Sequence, residues 1–336
     1  MKIAELGEFG LIELIADIVN KTKDPKNSAW QKLIIGIGDD AAAWQGDSTI
    51  QLATTDSLVQ DIHFDLAIAN WEDIGWKAMA ANISDIAAMG GVPKYALVSL
   101  ALPGELDTVC IASLYHGMVN IANQFGTVIA GGNITAADKV NINITIFGSL
   151  EGKTMLRRSA AMPSEQIAVT GYPGLSSAGL RMLRQRITLD PETDGLLKLA
   201  YRRPMPKIEV GQALLHQGVR AAIDVSDGLI GDLTHICQAS EVGANIRENL
   251  LPAYPAIKAN FKSDWLQLVL AGGEDYELLF TASSQVIAKV QKAVSCPVTV
   301  IGEITAEMLG RVALLDAKGK RIPWHEAGWE HFKSKI

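Results

Sequence analysis

Aspartates beside glycines and hydroxyls set the chemistry open to this chain. Gly36-Ile37-Gly38-Asp39-Asp40 follows one apolar run and Thr54-Thr55-Asp56 follows a second. Asp224-Val225-Ser226-Asp227-Gly228 follows a third, and Gly272-Gly273-Glu274-Asp275 sits beside a fourth. Carboxylates at the ends of buried strands repel one another and lose hydration unless they are protonated, hydrogen-bonded or bound to a cation. Magnesium takes oxygen ligands, commonly one or two carboxylates completed by phosphate oxygens and water. Asp after Gly is also ordinary turn and capping chemistry, which accounts for any one of the four groups. Turns do not require all four at apolar strand ends. Asp85 is a fifth candidate, because on a helix Ala78, Ala81, Asn82 and Asp85 share one small, polar face. A solvated helix face has the same spacing.

Other chemistries find little support. Gly148-Ser149-Leu150-Glu151-Gly152-Lys153-Thr154 is one residue short of a P-loop and carries an acid inside it. Gly36-Ile37-Gly38 lacks the third glycine of a dinucleotide fingerprint. Gly131-Gly132-Asn133, expected at a strand end, could let phosphate approach backbone amides. Arg157-Arg158 could meet a phosphoryl group or be an ordinary surface pair. There is no Gly-x-Ser-x-Gly elbow, and the six histidines form no metal-binding spacing.

The elements that must position these residues mix strands and helices throughout. Apolar spacing predicts helices over 9–20, 71–89 (capped by Asn70), 106–125, 176–187, 207–217 and 228–239. Strands are predicted over 33–37, 50–53, 95–102, 127–130, 140–147, 166–170, 220–224, 278–281 and 298–302, with 21–31 a loop and 188–206 a loop or short-helix insertion. The pattern restarts near residue 150, which predicts two α/β domains, 1–150 and 151–336. A length of 336 residues agrees with two domains. Lys and Arg total 30 against 37 Asp and Glu, a net charge of −7 that excludes broad nucleic-acid binding. No apolar stretch is long enough to span a membrane, Met1-Lys2-Ile3-Ala4-Glu5 opens without a signal-peptide core, and three scattered cysteines suit a reducing cytoplasm.

Taken in order, Gly7-Glu8-Phe9, the Gly38-Asp39-Asp40 and Thr54-Thr55-Asp56 groups, Asn82-Ile83-Ser84-Asp85-Ile86-Ala87-Ala88-Met89-Gly90, Asp224-Val225-Ser226-Asp227-Gly228-Leu229 and Gly272-Gly273-Glu274-Asp275-Tyr276-Glu277-Leu278 resemble the thiamine-monophosphate kinase family. Single motifs are shared with the wider aminoimidazole ribonucleotide synthetase (PurM-like) superfamily. The resemblance implies a two-domain PurM-like α/β (α+β) fold. An N-terminal sheet domain would bind ATP and magnesium and form a homodimer, and a C-terminal α/β sandwich domain would complete the ATP cleft. It implies magnesium- and ATP-dependent conversion of thiamine monophosphate to thiamine diphosphate by direct in-line phosphoryl transfer, the last step in making that cofactor.

Residue by residue, Asp40, Thr54, Thr55 (through its backbone), Asp56, Asp85, Asp224 and Asp227 match the family's ligands for several magnesium ions. Tyr115, Gly132, Asn133, Arg158 and Ser226 match ATP contacts, with Arg158 on the transferring group. His63, Glu274 and Trp329 match contacts to thiamine phosphate. The family usually has a metal-holding Asp where this chain has Asn133, so the resemblance implies weaker magnesium binding here. Its usual Pro-Gly-Asp is Pro163-Ser164-Glu165 in this chain. The alternatives are another ATP-dependent reaction of the superfamily, or a nucleotide-binding homologue whose catalysis has lapsed at Asn133.

Overall fold

The computed structural model of the chain describes residues 1–37, 42–46, 48–324 and 328. The chain divides into two compact units, residues 1–86 with 91–153, and residues 87–90 with 154–336.

The first unit runs α1 (Ile3–Asn20), α2 (Ser28–Lys32), β1 (Leu33–Ile35), β2 (Ala43–Trp44), β3 (Gln51–Val59), α3 (Trp71–Ala88), β4 (Val92–Leu102), α4 (Thr108–Gln124), β5 (Val128–Ala136) and β6 (Asn141–Ser149). The last two residues of α3, Ala87 and Ala88, group with the second unit. A four-stranded sheet has the order β3-β6-β4-β5, with β3, β6 and β4 antiparallel and β5 parallel to β4. Ile142, Ile144 and Ile146 of β6 are fully buried and alternate with half-buried Asn141, Asn143 and Thr145, as the period-two reading of this segment requires. Helices α3 and α4 pack backbone to backbone. A Cβ on Gly75 would stand 1.9 Å from the Leu114 carbonyl oxygen, and one on Gly117 would stand 1.9 Å from that of Glu72. Asn70 caps α3: its Oδ1 accepts from Asp73 N at 2.8 Å, and its Nδ2 donates to Asp73 Oδ2 at 2.8 Å.

The second unit runs β7 (Gln166–Thr170), α5 (Leu175–Gln185), α6 (Pro191–Arg202), α7 (Ile208–His216), β8 (Ala221–Asp224), α8 (Leu229–Ser240), β9 (Gly243–Arg247), α9 (Pro255–Asn260), α10 (Trp265–Ala271), β10 (Leu278–Ala282), α11 (Ser284–Ala293), β11 (Val298–Thr305), β12 (Val312–Leu315) and β13 (Arg321–Ile322). Its seven-stranded sheet has the order β13-β12-β9-β11-β7-β10-β8. Both faces are apolar. Ile167, Val169, Ile223 and Leu279 pack with Leu233 and Ile236 of α8 and Val269 of α10, while Ala168, Ala222, Leu278 and Phe280 pack with Leu214 of α7 and Ile287 and Val290 of α11. This unit is therefore a three-layer α/β sandwich.

Several elements depart from the sequence reading. The 188–206 stretch holds a full helix, α6, started by the Asp190 carboxylate accepting from Thr193 N at 2.9 Å and by Pro191 at its first position. Strand β3 runs on to Val59, so Thr54-Thr55-Asp56 lies inside it, held by register with β6 (Asp56 opposite Ile144). Gly131-Gly132-Asn133 likewise lies inside β5, opposite Leu97, Val98 and Ser99. In both places pairing with a neighbouring strand carries the extended chain past the end of its apolar run.

Candidate functional site

In the first unit, Thr54 and Asp56 share the helix-facing side of β3 with buried Leu52 and Leu58, while Thr55 faces the opposite, exposed side. The Thr54 hydroxyl donates to Asp85 Oδ2 at 2.5 Å, joining the second acidic group to the acid of α3. The Ala78, Ala81 and Asn82 face of α3 is buried, so it is not a solvated face. Asn82 Nδ2 donates to the Ala78 carbonyl at 3.1 Å, whereas its buried Oδ1 has no hydrogen-bond partner among the described residues. The Thr55 side chain joins a polar row on the outer side, accepting from Thr145 Oγ1 at 3.0 Å and donating to Asn143 Oδ1 at 3.1 Å.

Asp39 and Asp40 lie outside the described residues, but their flanks are placed. A Cβ on Gly36 would stand 3.8 Å from the Ala130 carbonyl oxygen, and one on Gly131 would stand 3.7 Å from Ala42 Cβ. The flanks thus adjoin the strand that carries Gly132 and Asn133. Only glycine fits at 132, since a Cβ there would stand 1.8 Å from the Val98 carbonyl oxygen. Asn133 is exposed. His63 follows β3, and its Nδ1 accepts from Val59 N at 3.0 Å, so the neutral ring carries its proton on Nε2. Tyr115 is buried in α4, and that burial raises its phenol pKa.

In the second unit two loops carry the acids. Asp224 ends β8 and is 1% exposed. The loop after it is gripped by Asp232 in the first turn of α8. One carboxylate oxygen of Asp232 accepts from Ser226 N at 3.0 Å and from Asp227 N and Gly228 N at 3.1 Å each. Burial, then the charges of Asp224 and Asp227, push the Asp232 carboxyl well above the usual carboxylate range. Ligand atoms of Asp227, Asp232 and His235 lie within 4.8 Å of one another. Sequence reading missed Asp232; its signal was an acid in the first turn of an otherwise apolar helix. The Gly272–Glu277 loop zips onto this one, with Glu274 N donating to Ser226 O at 2.8 Å and Tyr276 N to Val225 O at 2.9 Å. Asp224, Ser226, Asp227 and Glu274 are thereby brought together.

Exposed Arg158 is not part of that group. Its carbonyl accepts from Ser240 Oγ at 2.8 Å at the C-terminal end of α8. The 12 residues of α8, about 18 Å of helix, separate it from the Asp227 loop. Gly328 lies against the loop: a Cβ on it would stand 2.3 Å from the Asp227 carbonyl oxygen. Its neighbour Trp329 lies outside the described residues. Ser164 takes a left-handed φ of 73° where the resembled family has glycine. Glu165 beside it accepts from Thr281 Oγ1 at 2.6 Å.

Among the described residues no helix is long and apolar enough to cross a membrane. Residues 38–150 match the family model "AIR synthase related protein, N-terminal domain", and 163–314 match its C-terminal domain. The chain is 36% identical over 337 residues to the thiamine-monophosphate kinase of Bacillus subtilis (strain 168), covering 98% of this chain and 100% of the relative. Thiamine-monophosphate kinase from Stenotrophomonas maltophilia K279a is similar in structure, with a TM-score of 0.80 and 31% identity over 90% of this chain and 95% of that one. AaThiL complexed with AMPPCP and TMP is similar with a TM-score of 0.75 and 31% identity, covering 99% of each chain.

Proposed function

We infer that this chain, which belongs to the thiamine-monophosphate kinase family, transfers the γ-phosphoryl group of ATP to thiamine monophosphate, giving thiamine diphosphate and ADP. The observation that carries this reading is the end-to-end match to kinases of that name, together with a relative of the same fold that holds an ATP analogue and TMP.

Magnesium fits the donors. In the second unit burial, and after it the charges of Asp224 and Asp227, raise the Asp232 pKa, and the first unit pairs Asp85 with a threonine hydroxyl. These are the hard oxygen ligands that magnesium takes. Asp40, Thr54, the Thr55 backbone, Asp56, Asp85, Asn133, Asp224 and Asp227 would hold several such ions. Magnesium, when bound, neutralises phosphate charge and aligns the two reacting phosphates for in-line transfer.

The chain's own residues do the rest. Thr54 fixes the orientation of the Asp85 carboxylate. Asp232 fixes the loop of Ser226 and Asp227. Tyr115, Gly132, Asn133 and Ser226 bind ATP, while the exposed Arg158, a helix length from the Asp227 loop, would meet the nucleotide away from the metal-holding acids. His63, fixed with its proton on Nε2, donates to the acceptor phosphate, and Glu274 accepts from the aminopyrimidine. Trp329 stacks on the thiazolium ring, a cation–π contact of about 0.5–2 kcal/mol. No general base is needed, because a phosphate monoester with a second pKa of about 6 is already largely anionic at neutral pH. A second copy of the chain, paired through the outer side of the four-stranded sheet, completes the homodimer.

The test compares acceptors with ATP and magnesium held constant. Thiamine monophosphate is expected to give equimolar thiamine diphosphate and ADP, and magnesium-free reactions to give neither. Free thiamine, whose alcohol must lose a proton without a base, is expected to react more slowly by at least ~100-fold. Comparable turnover of both acceptors would overturn the mechanism, and ATP binding without turnover would point to a lapsed enzyme.

A further inference from the structure

Two non-glycine residues of the acidic loop before β10 hold left-handed backbone, Glu274 at φ 64° and Tyr276 at φ 50°. Such conformations cost roughly 1–3 kcal/mol each and persist only where the surroundings over-determine them. Three backbone hydrogen bonds to the Asp224–Asp227 loop restrain one side: Glu274 N to Ser226 O, Tyr276 N to Val225 O, and Val225 N to Glu277 O at 2.8 Å. The other side is held by Asp275, which stands between the two strained residues. Its Oδ2 accepts from Gly174 N at 2.6 Å and its Oδ1 from Ser176 N at 3.0 Å, so both oxygens grip the first turn of α5.

The distance between this loop and α5 has no slack. A Cβ on Gly272 would stand 2.2 Å from both Ser177 Oγ and the Leu268 carbonyl oxygen, and one on Gly174 would stand 3.0 Å from that same oxygen. Burial, with smaller contributions from Glu277 and Glu274, pushes the Asp275 carboxyl up to about 8. An acid kept in so unfavourable a place, bonded only to backbone N–H groups among the contacts described, has an anchoring role rather than a solvating one.

We propose that Asp275 is a positioning residue. By clamping the strained loop to the start of α5 on one side while the Asp224–Asp227 loop holds it on the other, it fixes the place of the Glu274 carboxylate against the acceptor substrate. This rests on the role given above to Glu274. Without the clamp, residues 274 and 276 relax toward ordinary φ values and the carboxylate moves, while Asp224 keeps its place in β8.

The test uses the full chain, with D275N, E274Q and the double variant, and D275A as the more severe form. Asn retains one acceptor oxygen for α5, so D275N is the variant expected to fold if D275A does not. Steady-state kinetics should show D275N raising KM for thiamine monophosphate roughly tenfold with KM for ATP changed less than about twofold. The double variant should be no worse than the poorer single one, the signature of two residues acting as a unit. An unchanged KM for thiamine monophosphate in D275N, equal changes in both KM values, or multiplying effects in the double variant would overturn the proposal. Absence of turnover by the unmodified protein would overturn the kinase reading itself, and the positioning role with it.

Discussion

Asp232 offers the sharpest test of how the second acidic loop is built. Replacing it with Ala removes one oxygen that accepts from three backbone N–H groups, those of Ser226, Asp227 and Gly228. Gly228 is buried, while Ser226 and Asp227 are half-buried and can recover part of their bonding from water. A buried donor left unsatisfied costs about 1–3 kcal/mol, and a partly wetted one less. Against that loss stands relief of repulsion, since Asp224 and Asp227 both disfavour a charge at Asp232. The balance is a destabilisation of about 2–4 kcal/mol for D232A. At a urea m-value of about 2 kcal/mol/M, the midpoint for this unit falls by about 1–2 M. D232N keeps an acceptor oxygen and loses the charge, so it should stay within about 1 kcal/mol of the unmodified protein. Urea titration followed by tryptophan fluorescence, with both variants side by side and no added magnesium, makes the comparison. Equal midpoints for D232A and the unmodified protein, or a D232N as unstable as D232A, would refute the view that this oxygen holds the loop.

Three further outcomes follow from single positions. N133D restores a charge where the resembled family has one, and is expected to lower the magnesium concentration for half-maximal turnover; an unchanged requirement contradicts that role. S164G relieves a left-handed φ of 73° and should raise stability by about 1 kcal/mol, visible as a higher melting temperature. Asp275, with a folded pKa of about 8 raised mainly by burial, holds its proton in the folded state at pH values where the unfolded chain has released it. Its contribution to stability is therefore full below the unfolded pKa of about 4 and is lost as pH rises through about 8. D275N should flatten the fall in stability across pH 5–8, and an unchanged slope would contradict the shift.

The parts of the fold legible in the sequence were those where one periodicity dominates. The Ala-, Ile- and Met-rich run of α3, bounded by an Asn cap and a Gly-Gly stop, and the alternation of β6 both read directly. Strand β3 did not, because Thr54 and Asp56 occupy the helix-facing side where apolar residues are expected, and only the β6 register shows that the strand continues. Strand β12 is short and is held by parallel pairing with β9, distant in sequence, and the two-residue edge strand β13 pairs in turn with β12. The acids of the candidate site were visible as residue types at recurring positions. Asp232 was not, because its importance lies in three backbone donors that only the folded loop brings to it. Arg158 shows the opposite: its type was apparent, but its distance from Asp227 depends on the length and direction of α8.

The proposed reaction passes the γ-phosphoryl group of ATP directly to the phosphate of thiamine monophosphate. It is tested most directly with ATP labelled in its γ-phosphate, incubated with the purified chain, magnesium and thiamine monophosphate, followed by quantitation of label in product and protein. One label in the terminal phosphate of thiamine diphosphate for each ADP formed, with none retained on the protein, is the predicted result. ADP formed without labelled thiamine diphosphate, or label passing through a stable protein adduct, would contradict it.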